Sequence, residues 1–110
     1  MNHALTITLD LQTLNPLLPL KLLNFQPLVP GAATEIPGGV MVFQAAFLNS
    51  TAGEPSMYRF ILQSGAQQAV AAVGNWLYSQ LHGTAAALQI SGQPVPINHH
   101  NILAALERSA

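Results

Sequence analysis

Apolar and polar residues alternate without interruption over residues 5–12. Leucine and isoleucine occupy the odd positions, while threonine, aspartate and glutamine occupy the even ones. Successive side chains of a β-strand point to opposite faces, so this alternation predicts a strand with one buried face and one solvated face.

Two further strands are predicted at Val40–Leu48 and Met57–Gln63, joined as a hairpin by the polar loop Asn49–Ser56. The first of these strands is apolar on both faces. Regular alternation would place one set of residues on one face (Met41, Phe43, Ala45 and Phe47) and the other set on the opposite face (Val40, Val42, Gln44, Ala46 and Leu48). Strands of this kind are usually buried on both sides, which makes the outer face a candidate for burial by a partner.

A helix is predicted over Ala66–His82, with Ser64 as its N-cap. Its apolar residues recur every three or four positions, as an amphipathic helix requires: Ala69, Val70, Val73, Trp76, Leu77 and Leu81. The opposite face is neutral throughout.

The remaining C-terminal residues predict a hairpin and a second helix. Ala85–Ile90 and Gln93–Ile97 flank a Ser-Gly turn, and prolines at positions 94 and 96 place the second arm at a sheet edge. Asn98 then caps a helix over His99–Ser109.

Residues 15–39 combine five prolines with many leucines. The prolines exclude a long regular helix or a central strand, so we predict an irregular segment with a short helical turn near Leu20–Asn24. Two interpretations remain open: the segment packs over the core of its own domain, or it is an apolar arm that docks on a partner.

The predicted fold is a single α+β domain spanning residues 1–110. It has a mainly antiparallel sheet of four to five strands with two helices packed on one face. The order of elements is strand, proline-rich segment, strand, strand, helix, strand, strand, helix.

Composition adds that the surface is short of charge. Half of the residues are hydrophobic and only 6% are charged, against roughly a quarter in ordinary soluble domains. No formally charged residue occurs between Arg59 and Glu107, and the net charge is −1. A net charge near zero promotes association, so we expect a protein partner or a homo-oligomer, with a dimer as the expected form.

The same shortage excludes several classes of partner. Three scattered lysine and arginine residues cannot form the basic surface that nucleic acids or anionic lipids require, so we expect neither partner. No transmembrane segment or signal peptide is predicted, and the expected location is cytoplasmic. The chain has no cysteine, which excludes disulfides and thiolate metal sites.

No catalytic, nucleotide or metal-binding motif is present, so we expect neither an enzyme nor a bound cofactor or metal. The alternative is a small-ligand-binding domain or enzyme with a pocket between the sheet and helix 66–82. Its candidate residues are Tyr58, Arg59, Trp76 and His82, with Arg59 as the anchor for an anionic ligand.

The second half of the chain resembles the effector-associated component domains of bacterial conflict systems. The resemblance covers residues 64–110 and lies in an Ala-rich helix that ends near Trp76-Leu77, a strand, a Gly-centred turn, a short strand with Val95 and Ile97, and a leucine-bearing last helix. Those domains are charge-rich after the Trp-Leu pair, whereas this chain continues with Tyr78-Ser79-Gln80. The resemblance implies a non-catalytic adaptor.

The predicted function is therefore that of a non-enzymatic protein-interaction or self-associating module. An adaptor, an assembly subunit and a phage or mobile-element inhibitor of a host protein all fit this description. The first candidate interface is the neutral helix face formed by Gln67, Ala71, Asn75 and Tyr78, and the second is the outer side of Val40 and Val42.

Overall fold

The structure, a computed structural model, describes residues 5–65 and 67–109. Six strands and three helices follow one another in an α+β order. They are β1 (Leu5–Thr13), α1 (Leu17–Leu22), β2 (Ala33–Ile36), β3 (Gly39–Phe47), β4 (Ser56–Ser64), α2 (Val70–Leu81), β5 (Ala87–Ile90), β6 (Gln93–Val95) and α3 (His99–Ser109).

The strands form one sheet in the order β2-β3-β4-β1-β5-β6, and every neighbouring pair is antiparallel. The first strand of the chain therefore lies in the interior of the sheet, between β4 and β5. It pairs with β4 along its whole length, from Leu5 opposite Ser64 to Thr13 opposite Ser56. The antiparallel α+β prediction is confirmed, with one strand and one helix more than expected.

All three helices lie on one face of the sheet. The buried apolar residues of each strand belong to a single alternating set, for example Ile7, Leu9 and Leu11 in β1, and they share one core with the buried residues of the helices. Phe43 and Phe60 meet edge to face at its centre, with 5.5 Å between their ring centroids. The other face of the sheet contributes no residue to this core. None of the described helices is both long and apolar enough to cross a membrane.

A β-bulge changes the predicted faces of β3. Phe43 lies opposite Phe60, but Ala45 lies opposite Arg59, so one extra residue is accommodated between them. Met41 and Phe43 point into the core as predicted. Beyond the bulge the alternation is reversed, so the prediction that Ala45 and Phe47 share the face of Phe43 is wrong.

The proline-rich segment contains a helix that was predicted only as a short turn, and a strand that was not predicted. Pro19 lies in the first turn of α1, where backbone N–H groups have no acceptor within the helix, so proline removes no helical hydrogen bond. The helix therefore starts and ends earlier than the turn expected at Leu20–Asn24. Leu18, Leu22 and Leu23 are buried in the core of the domain. The segment then adds β2 to the edge of the sheet beside β3.

The second helix begins later than predicted. A 3₁₀ turn over Gln67–Ala69 precedes α2, and the predicted start at Ala66 falls outside the described residues. Ser64 is not the N-cap, because it ends β4 and its hydroxyl donates to the Gly38 carbonyl, 2.9 Å away. The N-cap position is held by Ala69.

The C-terminal hairpin and helix follow the prediction closely. Ser91 and Gly92 both have positive φ, at 52° and 81°, as a two-residue hairpin turn requires. Asn98 caps α3 through its side chain, whose Oδ1 accepts a hydrogen bond of 2.8 Å from the Asn101 N–H.

Candidate functional site

The face of the sheet opposite the helices is here called the open face. No helix within the described ranges packs against it. Its residues come mainly from the three long central strands: Thr6, Thr8, Asp10 and Gln12 from β1, Met57, Arg59, Ile61 and Gln63 from β4, and Val40, Val42, Ala45 and Phe47 from β3.

Five of these residues form an apolar stripe along β3 and β4, consisting of Val40, Val42, Phe47, Met57 and Ile61. Val42 lies directly opposite Ile61, and Phe47 lies opposite Met57. Such cross-strand neighbours touch each other on a sheet surface. Four of the five are half-buried, while Phe47 is 49% exposed. The bulge in β3 is what brings Phe47 to this face.

One ion pair lies near the centre of the open face, where Arg59 falls between Met57 and Ile61 along β4 and divides the stripe into two parts. Arg59 donates to both carboxylate oxygens of Asp10, with Nε 2.7 Å from Oδ1 and Nη2 3.2 Å from Oδ2. Asp10 is 5% exposed, whereas the Arg59 side chain is 36% exposed. The guanidinium also lies 5.3 Å from the centroid of the Phe47 ring, within cation–π range.

The electrostatic consequence is that the two central charges of the open face cancel, while Glu35 adds a negative charge on the edge strand. Hydrogen bonding to Asp10 and its negative charge raise the pKa of the Arg59 guanidinium, while desolvation acts weakly in the opposite direction. The positive charge of Arg59 and the negative charge of Asp10 therefore balance each other. Glu35 on β2 is the further charged residue bordering the stripe, where it lies opposite Val40.

Both edges of the sheet are poorly suited to pairing with another strand. At one edge, the carbonyl of Ala33 on β2 accepts a hydrogen bond of 2.9 Å from the Gln26 side chain. At the other edge, β6 is three residues long, contains Pro94 and is followed by Pro96. Proline lacks the N–H that a ladder needs, so the face offers far more surface for association than the edges do.

The structure leaves only part of the predicted helix interface free to bind a partner. Ala71 is exposed on α2, and Gln67 lies in the preceding 3₁₀ turn. Asn75 and Tyr78 instead contact α3: Asn75 Oδ1 is hydrogen-bonded to His99 Nε2, and the Tyr78 ring meets the His99 ring edge to face. The third helix therefore occupies part of the face that was predicted to bind a partner.

The four residues of the alternative ligand pocket are not brought together. Tyr58 is buried on the helix side of the sheet, and Arg59, the next residue in the strand, points to the open face. His82 is exposed and stacks on Tyr78. Of the four, only Trp76 borders the cavity of about 360 Å³ that lies between α1, β2 and α2.

The open face contains residues that sequence analysis missed as well as two that it found. Val40 and Val42 were the second candidate interface, and the structure places both in the apolar stripe. Ile61, Met57 and Phe47 were not identified, although the alternation in 57–63 already put Met57 and Ile61 on the face of Arg59. Among the described residues, no three histidine, aspartate or glutamate side chains are grouped so that they could hold a metal ion.

Comparison of the chain with protein-family models, with curated proteins and with solved structures returned no match.

Proposed function

We propose that this protein is a non-enzymatic protein-interaction module whose binding surface is the open face of its sheet. The observation that carries the proposal is the apolar stripe on a sheet face that no described helix covers. The proposal moves the interface from the predicted surface of α2 to the opposite side of the domain.

The chemistry of the stripe distinguishes it from an ordinary solvated face. An antiparallel sheet that faces water on one side normally presents polar and charged residues there. Here Val40, Val42 and Ile61 form one apolar group and Phe47 and Met57 form a second, with the Ala45–Arg59 pair between them. Contiguous exposed apolar surface with a polar surround is typical of protein-binding sites. The polar surround includes Thr6, Thr8, Gln12 and Gln63, together with Glu35 and the Asp10–Arg59 pair.

The charges favour a protein over a nucleic acid or an anionic lipid. Phosphate groups are bound by basic residues that are free to contact them. Arg59 is the cation of the open face, and both oxygens of Asp10 already accept hydrogen bonds from it. A largely apolar surface that has no free cation among its described residues is suited to a protein surface of similar character. An adaptor role, as the resemblance of residues 64–110 implies, is one form that this function can take.

Site-specific photo-crosslinking in the native host tests the proposal. A photoreactive phenylalanine analogue at Met57, in the apolar stripe, is expected to give a discrete covalent adduct with a protein. The matched control carries the analogue at His100, which is exposed on α3 on the other side of the domain. We expect no comparable adduct from that position.

Equal adduct formation from both positions, or none from Met57, would show that the open face is not the binding surface. Circular dichroism of both purified variants verifies that the substituted chains fold as the wild type does.

A further inference from the structure

We infer that the partner covering the open face is a second copy of this chain, packed sheet against sheet as a twofold-symmetric dimer. This inference rests on the proposed function and names the partner of the same surface. The two apolar stripes are the centre of the contact. Two sheets stacked in this way enclose side chains between layers about 10 Å apart, as in a β-sandwich.

The first argument is self-complementarity. In a twofold-symmetric dimer the same patch is used by both copies, so the patch has to tolerate its own chemistry. A patch with an excess of one charge would repel its copy. The stripe residues are uncharged, the Asp10–Arg59 pair is matched within each chain, and a further charge, that of Glu35, lies at the margin of the face on the edge strand β2. A net charge of −1 for the whole chain adds little repulsion at longer range.

The second argument is the size of the face. The strands β1, β3 and β4 are each nine residues long. The short strands β2, β5 and β6 add four, four and three residues, so a rise of about 3.4 Å per residue and a strand spacing of about 4.8 Å give the whole open face an outline of roughly 600 Å². Side chains make that surface rougher than its outline. It therefore approaches the ~800 Å² that each partner contributes to a standard stable interface.

The third argument is the state of the ion pair. Covering a charged pair with an apolar partner is unfavourable when the charges lose water without gaining hydrogen bonds. Asp10 has already lost its water in the single chain, and two bonds from Arg59 satisfy it. The guanidinium also has the Phe47 ring beside it. A second copy can therefore pack on the stripe without burying a charge of this pair that lacks a partner.

The test measures the mass of the purified full-length chain by light scattering during size-exclusion chromatography. The wild type is expected at twice the chain mass of 11.7 kDa at micromolar concentration. Ile61→Lys introduces an ammonium into the apolar group formed with Val40 and Val42 and is expected to raise the dimer dissociation constant at least about tenfold. Val42→Lys, on the neighbouring strand, is expected to act in the same way.

Ala71→Lys is the matched control, because it makes an equivalent change on the exposed surface of α2. It is expected to leave the dimer intact. Circular dichroism and thermal unfolding of each variant separate loss of the dimer from loss of the fold. Should both stripe variants be unfolded, Ile61→Thr serves instead, since threonine suits a strand while shortening the stripe.

Three results would overturn the inference. A wild-type monomer at the highest attainable concentration excludes the second copy. A dimer that resists the folded stripe variants uses another surface. A Met57 crosslink to a different protein, combined with a wild-type monomer, contradicts the second copy while it supports the proposed function.

Discussion

A methyl group placed on Gly38 would come within 2.5 Å of the Ala69 carbonyl oxygen, so the turn between β2 and β3 lies directly against the start of α2. Gly38 also has a φ of +87°, a backbone conformation that side chains rarely adopt. Two separate costs therefore oppose any substitution at this position. The hydrogen bond from the Ser64 hydroxyl to the Gly38 carbonyl further fixes the turn to the end of β4.

Gly38→Ala is expected to lower the free energy of unfolding by about 2–4 kcal/mol, through backbone strain together with the clash against α2. Gly53→Ala is the control, because Gly53 has a similar φ of +85° but no neighbouring atom within 4 Å. It is expected to cost only about 1 kcal/mol. Urea denaturation followed by circular dichroism measures both values. Equal losses would mean that the close approach of the turn to α2 does not contribute.

Leu23 and Leu17 test whether the proline-rich segment stabilises its own domain. Leu23 is 0% exposed and Leu17 is 60% exposed. Leu23→Ala is expected to lower the free energy of unfolding by about 2–4 kcal/mol, since it opens a cavity in the core. Leu17→Ala is expected to change it by no more than about 0.5 kcal/mol. If α1 were a detachable arm, the two substitutions would have equally small effects on thermal unfolding.

Removing Arg59 is expected to destabilise the fold because it leaves the buried carboxylate of Asp10 without these bonds. For Arg59→Ala we expect a loss of about 1–2 kcal/mol, a modest value because the guanidinium is partly exposed to water. The measurement uses the Ile61→Thr background, which weakens the stripe without placing a second cation on the face of Asp10. The exposed Arg108 provides the control, and Arg108→Ala is expected to be neutral within about 0.5 kcal/mol.

The pH dependence of this difference has a definite sign. Pairing with Asp10 raises the pKa of Arg59. The stabilisation that the charged guanidinium gives to the fold is therefore present below the ordinary guanidinium pKa and is lost only above the raised value. Between neutral pH and a pH of about 10, the difference in free energy of unfolding between the protein with Arg59 and the Arg59→Ala variant should therefore remain constant. A steady decline over that range in urea denaturation would contradict the pairing.

Gly74 offers a stabilising substitution at the contact between α2 and α3. A methyl group there would meet Leu103 and Leu106 at 3.5 and 3.6 Å, which are ordinary van der Waals distances. Gly74→Ala is expected to raise the free energy of unfolding by about 1 kcal/mol, because alanine favours the helix. Gly74→Val adds methyl groups that would press on α3 and should be less stable than the alanine variant. A lower melting temperature for the alanine variant than for the wild type would show that the contact between α2 and α3 has no room for a methyl group.

Local patterns predicted the elements that have clear periodicity and enough length. The alternation over residues 5–12 and the Ser-Gly turn at 91–92 both correspond to what the structure contains. Ala33–Ile36 was missed because four residues bordered by prolines at positions 30 and 37 carry too little pattern. The bulge after Phe43 was missed because it depends on pairing with β4, and nothing in the residues of β3 alone specifies it.

The candidate site was harder to predict for a different reason. Val40 and Val42 were recognised as an outer apolar surface, yet α2 was preferred because its far face is neutral. Only the packing of α3 beside Asn75 and Tyr78 shows that this face is partly used within the chain. The pairing of Asp10 with Arg59 likewise joins residues 49 positions apart, and it requires the register of β1 on β4.

The edges of the sheet affect how a chain with so few charges avoids open-ended polymerisation at high concentration. Charge repulsion is the usual protection against open-ended polymerisation, and this protein has little of it. The prolines around β6 and the Gln26 side chain beside β2 reduce the number of backbone groups that a strand of another molecule could pair with at the edges. In the dimer that we propose, association through the open face ends at two chains, so the geometry of the sheet would limit assembly as electrostatic repulsion does in other proteins.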